Sequence, residues 1–215
     1  MLGDILLITE KHKNAAEVIF KYIMARRKDK MIIAISGESG SGKSELTHTL
    51  AKRLRREDIF AKPLHTDNYY TSDPLVRKEW RVSQGIENVV GYSEYDWATI
   101  HKNIDDFRHG RKSEMPCVDL VTEQVDRLIT DFSTVDMLIV DGLYAMKAEG
   151  VDLKIFIELT YLQTKEKHTK DSRGKEMMDQ ARWEILHQEH VMVQAMKPMA
   201  DLLINLDYEV VEVQK

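Results

Sequence analysis

Apolar residues in this chain gather into short unbroken runs, and the polar stretches between them carry hydrophobic positions at helical spacing. "MIIAIS" has the continuous, β-branched character of a strand buried on both faces. From Ser44 to Arg56, Leu46, Leu50 and Leu54 fall on one stripe of a helix, so this part reads as strand, turn, helix. "IFAKPLHTD" predicts a second strand interrupted by Pro63, "TVDMLIVDG" a third, "VDLKIFIEL" a fourth and "ADLLINL" a fifth. Helical patterns at Trp97 to Phe107, Leu162 to Lys170 and Lys175 to Met196 lie between them. Upstream, Ala15, Val18, Ile19, Tyr22, Ile23 and Ala25 predict an N-terminal helix. Alternating strands and helices imply parallel crossovers. The expected fold is therefore α/β, a three-layer sandwich with a mainly parallel sheet between helices.

Two stretches depart from that alternation. "PCVDLVTEQVDRLITDF", Pro116 to Phe132, has apolar positions near period 2 and predicts a β-hairpin standing off the main sheet. The terminal "YEVVEV" alternates loosely and reads as a last edge strand. The length of 215 residues fits a single domain, with residues 1–30 as a helical extension and about 161–180 as a lid region.

Charge narrows the partners. Lys and Arg number 31 against 36 Asp and Glu, a net charge of −5 with both signs interspersed. That balance argues against a general binder of nucleic acid or anionic membrane, so any anion site must be local. The expected partner is a small molecule, and association into a homo-oligomer is left open. Cys117 is the only cysteine, which excludes an intrachain disulfide and favours a reducing compartment; its own expected role is a small hydrophobe. "ILLI" at Ile5 to Ile8 follows Asp4 and is too short for a signal-peptide core, so a cytoplasmic protein is expected.

The most specific signal is Gly37-Glu38-Ser39-Gly40-Ser41-Gly42-Lys43-Ser44, which satisfies G-x-x-x-x-G-K-[ST] between a predicted strand and a predicted helix. In such a turn, successive backbone amides and the helix N-terminus face phosphate oxygens. ATP is then expected along Gly37, Ser39, Gly40, Ser41, Gly42, Lys43, Ser44 and Glu45, with the Glu38, Ser39 and Ser41 side chains given no role of their own. Lys43 would neutralise β- and γ-phosphate charge, and the Ser44 hydroxyl would sit on Mg²⁺.

Two acids fall at strand ends, where ligands collect in open α/β sheets. Asp141, ending "LIVD", has the pattern of a Mg²⁺ partner, against a turn aspartate before Gly142. Asp67, in "HTDNYY", could orient or accept the proton of an attacking hydroxyl, or could cap its own turn. "KHTKDSRGKE" clusters Lys170, Arg173 and Lys175 around Gly174, either as a cationic lid or as a solvated helix end.

In order and at similar spacing, "GESGSGKS", "TDNYY", "YDWATI", "MPCVDL", "IVDGLYA", "KDSRGK" and "KPMADLLI" resemble the uridine kinase and phosphoribulokinase family of P-loop kinases. The resemblance implies a five-stranded parallel kinase core and transfer of the γ-phosphoryl group of ATP, with Mg²⁺, to an alcohol of a small metabolite. A nucleoside is the first expectation; a sugar, pantothenate or another hydroxylated acid is the alternative. By the same resemblance Asp67 is the base, Tyr70 lies near the acceptor, and Asp141 replaces the glutamate usual in nucleoside kinases. Arg173 and Lys175 match lid arginines, Arg173 closing over the transferring group. The chain departs from nucleoside kinases in two places. Val118-Asp119-Leu120, with Glu123 near a histidine position, replaces a base-holding "Y-D-F", and "YSEYDWA" places Ser93 where an acid would stand, with Asp96 as the substitute.

Rivals of another class have less support. A GTPase-like switch wants N-K-x-D, which is missing, and the D-x-x-G match "DSRG" follows polar helical sequence. A binding protein without turnover sits poorly with intact Lys43, Ser44, Asp67 and Asp141. Glu184, His187 and His190 have a metal-like spacing, but exposure on a polar helix is the expectation. Trp80, Trp97 and Trp183 are expected to pack or to wall a cleft.

Overall fold

The computed structural model describes residues 5–119, 121–122, 124–164 and 179–214. Helix α1 (Glu10–Arg26) precedes strand β1 (Met31–Gly37), helix α2 (Lys43–Arg55) and strand β2 (Ala61–His65). A 3₁₀ turn, Thr66–Tyr69, leads to helices α3 (Arg77–Gln84), α4 (Ile86–Val89) and α5 (Trp97–Arg108). Strands β3 (Lys112–Asp119) and β4 (Gln124–Asp131) pair with each other alone. Strands β5 (Met137–Gly142) and β6 (Leu153–Ile157), helix α6 (Gln180–Gln194) and strands β7 (Leu202–Ile204) and β8 (Val210–Glu212) follow.

The main sheet has the order β2-β5-β1-β6-β7-β8. Its first five strands are parallel, and "YEVVEV" supplies a sixth, antiparallel edge strand beyond the five of the expected kinase core. Pro63 is compatible with a strand because β2 is the other edge, where a missing N–H costs no ladder bond on the open side. The sheet buries both faces, as the unbroken apolar runs require. Ile33, Ile35, Ile139 and Ile155 pack with Leu46, Leu50 and Leu54 of α2 and with Ile19 and Ile23 of α1. On the opposite face Ile32, Leu138, Val140 and Phe156 pack with Ile100, Ile104 and Phe107 of α5 and Val193 of α6. Each fully buried leucine or isoleucine contributes about 1.5–3 kcal/mol by leaving water, so the two cores hold the sheet edges in a fixed register.

Helix α1 buries Ala15, Ala16, Ile19, Phe20 and Ile23, whereas Val18 is exposed: the apolar stripe is narrower than the spacing suggested. Arg53 of α2 lies 3.6 Å above the Phe20 ring and donates to Glu17 at 2.5 Å, fastening the two helices together.

The hairpin begins four residues earlier than Pro116, at Lys112, because the register with β4 continues down to Lys112 opposite Asp131. Strand β4 meets water nearly throughout, and an isolated pair of strands is marginal; the hairpin is held by its root. Asp106 accepts from Lys102, Arg111 and Ser113, while Asn103 donates to Ser113 Oγ and the Glu114 carbonyl. Burial opposes ionisation of Asp106, yet the hydrogen bonds from Lys102, Ser113 and Arg111 outweigh it and hold its pKa down at about 2. The depressed value makes this stabilisation present above the ordinary carboxylate pKa and lost as pH falls through about 2. Asp106→Asn is therefore expected to cost about 1–3 kcal/mol at pH 7. Denaturant titrations at neutral pH and near pH 2 check this, and a difference that does not shrink in acid contradicts it.

Among the described residues no helix is long and apolar enough to cross a membrane. Lys170, Arg173 and Lys175 lie outside the described residues, as do Leu120 and Glu123.

Candidate active site

Three neighbouring strands of the parallel sheet, β2, β5 and β1, each bring a different part of the site to its carboxyl edge. β1, at the centre, runs straight into the phosphate loop, and Gly42 caps α2 with φ 97°, a left-handed conformation that favours glycine. A side chain there would also strike the Tyr208 hydroxyl and His12 Nε2. Lys43 opens the helix, and its Nζ donates to the Glu38 carbonyl at 2.9 Å, curling the loop over itself. Burial lowers the Lys43 pKa, against the fields of Asp67, Asp141, Glu189 and Glu45, which favour its charge. Of those fields, the ones of the two strand-end acids, Asp67 and Asp141, favour its charge most.

Asp141 is 3% exposed and pairs in register with His65 of β2 and Ile35 of β1. Residues opposite one another in a parallel ladder project to the same face, so His65 Nδ1 meets Asp141 Oδ1 at 2.6 Å. The field of Asp141 raises the His65 pKa, against partial desolvation. Asp141 Oδ2 is buried and has no hydrogen-bond partner among the described residues. His65 also lines a cavity of about 120 Å³ with Ser44 and Thr47.

Asp67 lies in the turn that ends β2, half-buried, and its Oδ1 is likewise buried without a partner. That turn is fixed on both sides. A Cβ on Gly142 would collide with Thr66 Oγ1, so the end of β5 presses on it directly. Tyr69 donates to Asn103 Oδ1 at 2.8 Å, and Asn68 Oδ1 accepts from the Val118 amide at 3.1 Å, which hangs β3 beside Asp67.

Aromatic rings line the next layer. Tyr70 bridges to Tyr95, whose hydroxyl donates to the Tyr70 hydroxyl at 2.6 Å, and Tyr144 meets Tyr95 edge-on at 5.6 Å. Burial raises the pKa of all three, with the Asp67 field adding for Tyr70 and Tyr95. The Tyr144 hydroxyl is another buried group without a partner among the described residues. Trp97 stacks on Tyr92 at 4.1 Å and packs into this wall, Trp183 tilts against Tyr161 at 6.0 Å, and Trp80 is partly exposed.

Behind Tyr70 sits a buried charge cluster that the sequence reading did not single out. Arg81, 4% exposed, donates to both oxygens of Glu94 at 2.6 and 3.0 Å and lies 3.6 Å from Glu189 of α6. Burial opposes charge on both Arg81 and Glu189. The Glu94 hydrogen bonds nevertheless raise the Arg81 pKa, while burial raises that of Glu189. The acid in "YSEYDWA" that enters the interior is thus Glu94. Asp96 instead caps α5, accepting from the Thr99 amide at 3.0 Å, and Ser93 is exposed.

Glu38 is the other unforeseen residue. Far from a variable loop position without a role, it is 1% exposed and accepts from Tyr161 N, His190 Nδ1 and Gln194 Nε2 at 2.7, 2.8 and 2.6 Å. His190 is accordingly not the exposed residue of the sequence reading, whereas His187 is exposed. Among the described residues no group of three His, Cys, Asp or Glu side chains forms a metal cluster. Glu45 turns its carboxylate to the Leu7 amide at 3.2 Å.

Residues 32–208 match the model of the phosphoribulokinase and uridine kinase family. The chain belongs to that family. A uridine kinase of Ureaplasma parvum serovar 3 is 30% identical over 139 residues, which span 61% of this chain and 63% of that relative. The fold is shared with a phosphoribulokinase from Rhodobacter spheroides, at TM-score 0.64 and 17% identity over 82% of this chain and 70% of that one. It is shared too with a D-glycerate 3-kinase from Cryptococcus neoformans var. grubii, at TM-score 0.58 and 12% identity over 96% and 98%.

Proposed function

We propose that the chain is an ATP-dependent kinase transferring the γ-phosphoryl group to a hydroxyl of a small metabolite, with a nucleoside of the uridine or cytidine type as first acceptor. One observation carries the reading: Asp67 and Asp141 follow the apolar runs of neighbouring strands beside the phosphate loop, each with a buried oxygen that has no partner among the described residues. A buried acceptor atom left unpaired costs about 1–3 kcal/mol, and ligand contacts can recover that cost. In this assignment Gly37 to Ser44 hold the triphosphate, and Asp67 orients the acceptor hydroxyl or takes its proton. Tyr70 walls the acceptor side. Arg173 and Lys175 remain proposed as cations over the transferring group.

Mg²⁺ fits the donor set: a serine hydroxyl opening α2 and a buried carboxylate with one free oxygen are hard oxygen ligands. Ser44 and Asp141 would hold it, and bound Mg²⁺ neutralises phosphate charge. His65 fixes one oxygen of Asp141, and the other is buried without a partner among the described residues. Little covalent chemistry is asked of the protein, so positioning and charge neutralisation supply most of the rate.

A relative acting on a sugar, pantothenate or another hydroxylated acid is the second reading. In the stretch where nucleoside kinases hold the base, Asp119 accepts from the Val121 and Thr122 amides of its own turn. A panel of nucleosides, pantothenate, glycerate, pentoses and hexoses with Mg·ATP, followed by ADP release, decides between them. Uridine or cytidine turnover supports the first reading. Turnover of a sugar or acid with both nucleosides inert moves the acceptor to the second. If no compound in the panel stimulates ADP release, the kinase assignment loses its support and a nucleotide-binding protein without turnover takes its place.

A further inference from the structure

The helix that precedes the family-matched region reaches the phosphate loop itself. His12, 8% exposed on α1, sits where a Cβ on Gly42 would approach its Nε2 within 2.9 Å and the Tyr208 hydroxyl within 2.7 Å. The two rings meet edge-on at 4.8 Å. From the other end of the chain, Tyr208 donates to the Gly42 carbonyl at 3.1 Å, the carbonyl that also accepts the first α2 bond from Leu46 at 2.9 Å. The orientation of the His12 ring is set by its own helix cap. His12 Nδ1 accepts from the Thr9 amide at 3.0 Å and lies 2.9 Å from Thr9 Oγ1. A neutral imidazole that accepts at Nδ1 carries its proton on Nε2, so an N–H donor is aimed at the loop. The segment ahead of α1 adds the Leu7 amide bond to Glu45, one turn into α2.

Resting on the reading of this loop as a nucleotide site, we propose that His12 and Tyr208 form a clamp on Gly42 that holds the loop in its phosphate-binding conformation. His12 is then a positioning residue for nucleotide, supplied by a helix outside residues 32–208. The physical logic is preorganisation. Gly42 is the residue with the most backbone freedom at the point where the amides must converge, and ordering it before binding removes that cost from the affinity. The His12 ring and the Tyr208 hydroxyl, distant in sequence, meet at one glycine.

The test is Mg·ADP binding, read by a fluorescent ADP analogue, with the thermal midpoint of the nucleotide-free protein measured in parallel. His12→Phe keeps a ring against Tyr208 and removes the donor; Tyr208→Phe removes the bond to the Gly42 carbonyl and keeps its ring. Each is expected to weaken binding by about three- to tenfold, the scale of one hydrogen bond. The double variant is expected to lose less than the product of the two, because both act on one residue. His12→Gln, which retains an N–H donor, is expected to bind more tightly than His12→Phe. Variants that lower the thermal midpoint but bind like the wild type overturn the clamp, leaving a packing role only. Wild-type protein that fails to bind the analogue overturns the nucleotide site first, and the clamp with it.

Discussion

Asp67→Asn is expected to lower acceptor-dependent turnover by about 10²- to 10⁴-fold, the range that a positioned acid or base contributes, while affinity for Mg·ADP changes little. The substitution keeps shape and removes only the basicity and charge of one carboxylate. Asp67 Oδ1 has no hydrogen-bond partner among the described residues, and the turn around it is held by neighbours, Thr66 against Gly142, Asn68 to Val118 and Tyr69 to Asn103. A fall in activity therefore cannot be credited to a displaced turn if the thermal midpoint is retained. The proposed nucleotide contacts lie at the other strand end, in the loop after β1, so binding and chemistry are expected to separate in this variant. Steady-state rates with the acceptor identified by the panel, beside a nucleotide titration, provide the measurement. Equal rates for the two proteins remove Asp67 from the mechanism. Loss of nucleotide binding to the same degree as turnover would place it at the phosphates instead.

The parts of this site that the chain announced are those determined by local sequence. The phosphate loop is a contiguous pattern whose backbone needs dictate glycine and lysine at set positions, and it lies between β1 and α2 as expected. Asp141 was findable because β5, buried on both faces, ends visibly where its apolar run stops, and Asp67 because it follows the end of the half-buried edge strand β2. Leu46, Leu50 and Leu54 are fully buried for the same reason, one stripe facing one layer. Glu38, Arg81 and Glu189 were not legible in that way. A glutamate in a loop or on a polar helix looks solvated until its partners are known, and the side chains that bond Glu38 belong to residues 190 and 194, far along the chain. The weak amphipathic pattern of α6 arises because Glu189 and His190 face inward among its apolar positions to meet Arg81 and Glu38. His12 was invisible for another reason: its role depends on a helix being laid back across the loop, which no spacing encodes. Asp96 shows the reverse error, an acid near the family position whose geometry makes it an N-cap.

Arg81→Met is expected to destabilise the protein by about 3–5 kcal/mol at pH 7, the cost of removing one partner from a buried ion pair. Methionine fills most of the volume, so the loss is electrostatic rather than a cavity. It leaves Glu94, 2% exposed, and Glu189, 5% exposed, without their shared cation. Glu94 keeps one bond, from the Gly91 amide at 3.0 Å, which does not neutralise it. With that cation gone, burial and mutual repulsion outweigh the field of Arg182 on Glu189 and disfavour charge on the two carboxylates. The sign of the pH dependence follows. A raised folded-state pKa means that the folded variant takes up protons before the unfolded chain does, so its deficit is full at neutral pH and shrinks as pH falls through the raised values. Chemical denaturation of both proteins at pH 7 and pH 5 checks the size and the trend. Arg81→Met/Glu94→Gln/Glu189→Gln, which removes all three charges, is expected to regain much of the loss, because a neutral cluster need not be worse than the ion pair it replaces. Since the Arg81 guanidinium lies 5.6 Å from the centre of the Tyr70 ring, the single variant should also raise the KM for the acceptor more than that for ATP. A single variant within about 1 kcal/mol of wild type at pH 7 would mean that water screens this cluster and that Arg81 does not anchor the wall beside Tyr70.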